Sequence, residues 1–313
     1  MKAIQINKYG GPEVLEVNSN AVEPVVNSGQ VLVEVHASSI NPFDNIVLAG
    51  YMEKMMPLKF PTTMGGDFSG VVIKVFANET EFNVGDQVYG QAIVFNGGSG
   101  SFAELLISNT KNMSLKPKNI NFIDAASLPL VGSSAIQALE DIIKLSSGQK
   151  ILIHGGAGGI GSIAIQIAKS LGAYVTVTIS EKDKQFVKQL GADEIIDHKT
   201  QVFEEILKDY DAVFDTAGGE TTDRSFKVLK TGGILASMKG QPNEELAKQY
   251  GVRGVAINTQ TNSQHLQKLT QLVESGIVKP RVDKIFNLDQ IEEAFIYKQT
   301  SHPQGKVVIK IRN

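Results

Sequence analysis

Residues 151–171 read ILIHGGAGGIGSIAIQIAKSL. Ile151, Leu152 and Ile153 are apolar without alternation, the pattern of a parallel strand covered on both faces. A glycine-rich turn follows, with Gly156, Gly158 and Gly161 at G-x-G-x-x-G spacing. The first glycine is expected to permit the tight turn, the second to let backbone approach phosphates, and the third to let helix pack on strand. Ile160, Ile163, Ala164, Ile167, Ala168 and Leu171 then recur at helical spacing. The helix start offers unpaired N–H groups and the positive end of its dipole to a pyrophosphate. Gly156, Ala157, Gly158, Gly159, Ile160 and Gly161 are therefore the expected cradle. With 30 glycines in 313 residues, the bare motif arises by chance about 0.3 times, so its strand–turn–helix context carries the reading. The competing reading is a glycine-rich turn in another α/β fold.

Composition narrows the function classes. The net charge is −3 and the basic residues are scattered, which points away from nucleic acid or a polyanion surface. There is no cysteine, so disulfides, a thiolate nucleophile and a cysteine-ligated zinc are excluded. His36, His154, His198, His265 and His302 lie far apart in sequence, and no metal site is expected. MKAIQINKYGG has no long apolar segment, and no run of about 18 apolar residues occurs. A soluble, unexported, cytoplasmic protein is the expectation.

The order of patterns outlines two architectures. To about residue 120 the chain reads as short β-branched runs, Ala3 to Ile6, Val14 to Val17, Val31 to Ala37, Val71 to Phe76 and Gln87 to Tyr89, separated by glycine turns. Within VLVEVHA, Val31, Val33, Val35 and Ala37 share one face, with Glu34 and His36 on the other. A small, mostly-β, barrel-like domain is predicted. Residues 121–259 alternate: a helix over Ser134–Lys144, then strands and helices from Ile151 to about Ile257. This is the signature of an α/β fold with a doubly wound parallel sheet, a Rossmann domain. Residues 260–313 form a third segment, with helices over 264–275 and 288–298, Asp289 as an N-cap, and a terminal strand over 306–311.

In such a fold an acidic residue about 20 positions beyond the first glycine binds the adenosine ribose hydroxyls. Here the second strand ends at Ser180, the nearest acid is Glu181, and Lys182 and Lys184 follow. A hydroxyl with ammonium groups suits a 2′-phosphate, which favours NADP (NADPH) over NAD. The competing reading makes both lysines solvated residues of a helix start.

Many segments in the same order give the chain a resemblance to a family. They include MKAIQINKYGGPEVLEV, VLVEVHASSINPFDNIVLAG, MGGDFSGVV, FNVGDQVYG, GSGSFAEL, AASLPLVGSSAIQALED, HGGAGGIGSIAIQIAK, LGADEIIDH, DAVFDTAGG, LKTGGILASMKG and GKVVIKI. Together they resemble the medium-chain dehydrogenase/reductase superfamily, in its zinc-free quinone oxidoreductase (zeta-crystallin-like) branch. The resemblance implies a GroES-like catalytic domain interrupted by the Rossmann domain, a C-terminal segment returning to the catalytic half, and a homodimer. Zinc-dependent relatives carry a cysteine and then G-H-E. Here those regions read Asn41-Pro42-Phe43-Asp44 and Gly65-Gly66-Asp67, and the cysteine-rich zinc lobe is missing. With no Lewis acid to polarise an alkoxide, zinc alcohol dehydrogenase chemistry is disfavoured.

The resemblance also assigns candidate residues. Asn41 is placed near the nicotinamide and substrate, where its amide donates to a carbonyl; its competing role is to stabilise the Asn41-Pro42 turn. Tyr51 is a candidate donor to a developing oxyanion, but it is one residue displaced from the family's tyrosine, and a core or rim tyrosine competes. Ser134 matches a hydroxyl near the nicotinamide, or else caps a helix. His198 matches a tyrosine near the adenosine phosphate, or else is a solvated loop residue. Asp67 and His154 read as structural. The activity implied is NADPH-dependent reduction of a small-molecule quinone, enone or enal by direct hydride transfer. The alternatives are an enoyl-thioester reductase and a non-catalytic NADPH-binding structural or sensor protein.

Overall fold

The apolar run at 151–153 becomes the central strand of a six-stranded parallel sheet. A computed structural model describes residues 1–76 and 81–312. The sheet order is Glu194–Asp197, Tyr174–Ile179, Lys150–His154, Tyr210–Asp215, Leu229–Ser237 and Arg253–Ala256. All five pairings are parallel, with Val177 opposite Ile153 and Phe214 opposite Ile153 on the other side. Chain order reverses at Lys150–His154, and the crevice beyond that strand's carboxyl end is where such sheets bind ligands. Ile151, Leu152 and Ile153 are fully buried, which explains why their sequence does not alternate.

Two units divide the chain. The Rossmann unit is Val131–Gln260 with Gly276–Lys279, and the mostly-β unit is Met1–Leu130 with Thr261–Ser275 and Pro280–Asn313. In this division residues 121–130 go with the mostly-β unit. Phe122 stacks on His36 with centroids 4.1 Å apart, Ser69 Oγ donates to Phe122 O at 2.6 Å, and Leu130 N–H donates to Asp67 Oδ2 at 3.3 Å. These contacts tie 121–130 to β-strands of the first unit.

In the mostly-β unit, a seven-stranded sheet runs Val282–Asn287, Lys306–Lys310, Gln30–Ser39, Asp67–Val75, Gln87–Gln91, Met113–Leu115, with Leu105–Asn109 also on Gln30–Ser39. Strand Lys306–Lys310 is antiparallel to Gln30–Ser39, with Val308 opposite Ser39 and Lys310 opposite Ala37. Ala3–Ile6, Glu16–Asn18 and Thr62–Thr63 form a small second sheet. The alternation of VLVEVHA holds: Val31, Val33, Val35 and Ala37 are fully buried, while Leu32, Glu34 and His36 are half-buried. Burying each valine is worth about 1.5–3 kcal/mol relative to exposure. From Ala37 to Asn41 every residue is buried, where the strand is covered by Lys306–Lys310 on one edge and Asp67–Val75 on the other.

Two sequence expectations are corrected and one element is added. The helix expected over Ser134–Lys144 is an α-helix at Pro129–Ile136 followed by a π-helical turn at Gln137–Ile143. Proline is tolerated at a helix start, and Lys144, at φ 57°, ends the turn. Asp289 does not cap. Asn287 is the N-cap, its N–H donating to Gln290 Oε1 at 3.1 Å, while Asp289 accepts from Lys2 Nζ at 2.6 Å. A helix at Glu244–Tyr250 went unanticipated; Asn243 caps it by accepting from Glu245 N and Leu246 N, and Gly251 closes it at φ 63°. Among the described residues no helix is long and apolar enough to cross a membrane.

The last segment packs deeply. Phe295 is fully buried in a cluster with Ile4, Ile6, Ile40, Phe102, Val307 and Ile309, edge-on to Phe102 at 6.0 Å. Phe295→Ala is expected to cost about 3–5 kcal/mol of folding stability, read from the urea midpoint; a loss below 1 kcal/mol would refute this placement of the segment.

Candidate active site

The glycine turn leaves the central strand at His154 and enters the helix Gly159–Ser170. Its left-handed residue is Gly155 (φ 73°), one position earlier than the expected tight-turn glycine. Gly156 serves packing instead: a Cβ there would lie 2.9 Å from Val177 Cβ. Gly161 behaves as expected, since its Cβ would lie 2.3 Å from Gly155 O, so only hydrogen fits between helix and turn. At Gly158 a Cβ would meet only Gly155 O, at 3.4 Å, which leaves open space over the turn. Gly158 is the N-cap without a side-chain cap, and the first intrahelical acceptance is Ser162 N–H to Gly158 O at 2.9 Å. The N–H groups of Gly159, Ile160 and Gly161 in that first turn are those a pyrophosphate would use. The turn therefore fits a dinucleotide.

At the end of the second strand, Ser180 Oγ lies 3.2 Å from His198 Nε2. His198 is exposed and anchored by its own N–H to Ile179 O at 3.1 Å. Lys182 is exposed, while Lys184 Nζ pairs with Glu181 at 3.1 Å. The structure thus brings Ser180 and His198 together at the strand's end, leaves Lys182 exposed two residues further on, and pairs Lys184 with Glu181. Such an exposed pair is weak.

Ser134 is fully buried, the sixth residue of Pro129–Ile136, so it does not cap a helix. Its hydroxyl lies 2.7 Å from Thr259 Oγ1. His154 is structural: Nδ1 lies 2.9 Å from Thr178 Oγ1 and Nε2 2.9 Å from Ser225 Oγ, with Phe203 edge-on at 4.7 Å.

In the mostly-β unit, Asn41 is 2% exposed and begins the helix Pro42–Leu48. Its backbone N–H donates to Asp44 Oδ2 at 2.7 Å. Asn41 and Asp44 form a capping box at that helix start. The Asn41 Nδ2 donates to Asp67 Oδ2 at 2.9 Å and its Oδ1 accepts from Lys306 Nζ. Asp67, fully buried, also accepts from Gln91 Nε2 at 2.8 Å, Leu130 N at 3.3 Å and Ser39 Oγ at 3.4 Å. Lys306 Nζ further donates to Ile40 O at 2.9 Å and lies 3.9 Å from Asp67 Oδ2. Burial raises the Asp67 pKa, opposed by Lys306, Asn41 and Gln91. Burial pushes Asp44 up to about 7, and it lowers Lys306 to about 8 against the pull of Asp67.

Tyr51 is 79% exposed, in the turn after Pro42–Leu48, with its N–H on Ile46 O at 3.2 Å. It is a surface tyrosine, which removes the core alternative. Lys306, Asp44 and Gln91 were not anticipated; a lysine opening an apolar strand ordinarily reads as solvated. Among the described residues no group of three His, Cys, Asp or Glu side chains is placed to hold a metal ion.

A dinucleotide turn on a doubly wound sheet, joined to a mostly-β unit, defines an oxidoreductase architecture. Residues 27–118 match the family described as alcohol dehydrogenase GroES-like domain, and residues 190–309 match the one described as zinc-binding dehydrogenase. The chain is 37% identical to the NADPH-dependent alkenal/one oxidoreductase, chloroplastic, of Arabidopsis thaliana, over 99% of this chain and 79% of the relative. It is 30% identical to the quinone oxidoreductase of Mus musculus, over 98% and 96%. The structure of the quinone oxidoreductase from Coxiella burnetii superposes with a TM-score of 0.92 at 34% identity, covering 100% of this chain and 99% of that one. The chain belongs to the medium-chain dehydrogenase/reductase superfamily, alongside quinone oxidoreductases and alkenal/one oxidoreductases. The zinc of the second family description does not fit these residues. The chain has no cysteine, and glycines 65 and 66 precede Asp67.

Burial lowers the His154 pKa to about 4, against the opposing charge of Asp215. An imidazole kept neutral by the fold takes a proton more readily once the chain unfolds. Between about pH 4 and the ordinary value of 6.5 the unfolded chain therefore binds more protons. This part of the stability is full above pH 6.5 and is lost as pH falls towards 4, by about 1.4 kcal/mol per pH unit. Asp44, raised by burial to about 7, works in the opposite direction over the same range, so the His154 part is read as a difference. In urea titrations between pH 7 and 4.5 the unaltered protein should lose more stability, or gain less, than His154→Gln as pH falls; equal slopes in both proteins would contradict this.

Proposed function

We propose that this protein is an NADPH-dependent reductase of quinones and α,β-unsaturated carbonyls that works without a metal. The observation that carries the reading is the likeness to an NADPH-dependent alkenal/one oxidoreductase over 99% of this chain, in a chain whose second Rossmann strand is followed by Ser180 rather than by an acid. When bound, the nicotinamide supplies the hydride, and an acceptor that is already electrophilic needs no Lewis acid.

The chain's own residues bind, orient and donate. The N–H groups of Gly159, Ile160 and Gly161 take the pyrophosphate. Ser180, His198 and Lys182 take the 2′-phosphate by charge-assisted hydrogen bonds. Ser134 borders the nicotinamide, as the family resemblance implies. Asn41 has two Nδ2 hydrogens; one goes to Asp67, and the other is the donor left for a carbonyl oxygen. The exposed Tyr51 lines the acceptor's approach and leaves product protonation to solvent. The homodimer implied by the resemblance completes the proposal, and sedimentation equilibrium tests it.

Steady-state assays with 1,4-naphthoquinone and a 2-alkenal, each with NADPH and NADH, should give turnover of at least one acceptor with a clear NADPH preference. Ser180→Asp places a carboxylate against the 2′-phosphate and should raise the NADPH KM at least tenfold while sparing NADH. An unchanged ratio would refute the assigned phosphate site. Dialysis against 1,10-phenanthroline should leave the rate unaltered, and a chelator-sensitive rate restored by zinc would overturn the metal-free chemistry.

A further inference from the structure

The carboxamide of Asn41 lies between a buried ammonium and a buried carboxylate. Lys306 Nζ donates to its Oδ1, and its Nδ2 donates to Asp67 Oδ2. Rotating the amide by 180° would set NH₂ against an ammonium and a carbonyl against a carboxylate. Only one orientation is compatible with both neighbours. We propose that Lys306 is a positioning residue for the reduction: with Asp67 it locks the Asn41 amide so that its second N–H is presented to the acceptor or the nicotinamide. The inference rests on the proposed role of Asn41.

The surroundings support this assignment. Lys306 comes from strand Lys306–Lys310, Asn41 from the end of Gln30–Ser39 and its following turn, and Asp67 from the first position of Asp67–Val75. All three side chains are buried, so solvent does not replace any of these contacts. The third partner of the ammonium, Ile40 O, belongs to the residue before Asn41, so backbone and side chain at this corner are gripped together. A cation on the carbonyl also polarises the amide and strengthens its N–H as a donor. The charged groups facing Lys306 are Asp67, Asp44 and Lys298 of helix Ile291–Thr300. Deprotonation of Lys306 removes the cation and weakens the lock, leaving Asp67 as the one charged group that orients the amide.

Removing Lys306 alone strands a buried carboxylate, so the kinetic test uses Lys306→Met combined with Asp67→Asn. That double variant should bind NADPH, by fluorescence titration, within twofold of the unaltered protein. Its kcat should be at least tenfold lower, and any dependence of kcat on the protonation of Lys306 should vanish with it. Lys306→Gln with Asp67→Asn restores an uncharged donor and should recover part of the rate. A double variant whose kcat stays within twofold of the original overturns the proposal. If the double variant does not fold, the unaltered protein still decides. The Asn41 side-chain resonances, assigned by their loss in Asn41→Ala in a ¹⁵N-asparagine-labelled sample, should shift together with the Lys306 Cε resonance of a ¹³C-lysine-labelled sample as the pH is raised. Asn41 resonances that stay in place while the Lys306 Cε resonance titrates overturn the proposal. Asn41→Ala separates the two levels: undiminished turnover sinks the role given to Asn41, whereas a loss there with none in the double variant sinks only Lys306.

Discussion

A single buried carboxylate organises the mostly-β unit. Asp67 gathers donors from Ser39, Asn41, Gln91 and Leu130, and the ammonium of Lys306 stands beside it. These residues come from the Gln30–Ser39 strand and the turn after it, the Gln87–Gln91 strand, the segment beyond Ala126, and the strand at Lys306–Lys310. A charge this deep is costly unless every lone pair is satisfied. The satisfied arrangement therefore fixes where each segment ends. The helix Pro42–Leu48 then starts from a corner that cannot drift, and the amide of Asn41 inherits a defined direction.

The Rossmann unit rests on a different constraint, the absence of a side chain. Gly161 lets the helix Gly159–Ser170 approach to a distance at which a Cβ would collide with Gly155 O. The helix axis is thereby aimed at the open space above Gly158, and the same contact that packs the fold aims the dipole. His154, directly before the turn, is tied off by Thr178 and Ser225 and stays out of the chemistry.

What could be read in the sequence followed from local rules. The unbroken apolar strand, the glycine spacing, the helical periodicity after it and the alternation of VLVEVHA all depend on near neighbours, and the parallel, doubly wound character of the sheet followed from the alternation of elements. Asn41 and Asp67 were visible as departures from a zinc pattern, but their contact was not, because it joins strands 26 positions apart. Lys306 was invisible: at a strand start a lysine ordinarily lies in water, and only the carboxylate across the sheet explains its burial. The Glu244–Tyr250 helix had its signals, Asn243 before it and Gly251 after it, yet its polar interior masked them. The π-turn at Gln137–Ile143 gave none, since its hydrogen-bond shift is set by packing.

The pairing of Lys306–Lys310 with Gln30–Ser39 also orders events during synthesis. Every strand of the Rossmann sheet is supplied by residues 150–256, so that sheet can pair before residues 306–310 are made. The strand that carries the ammonium reaches its partner across about 270 residues, a loop closure that local contacts cannot hasten. Until then Asp67 is a carboxylate without its cation, and Gln30–Ser39 is an unfinished edge. A nascent chain in that interval can form its nucleotide turn but has no ammonium to fix the amide at position 41, and its unpaired strand edge is the surface a chaperone would have to guard.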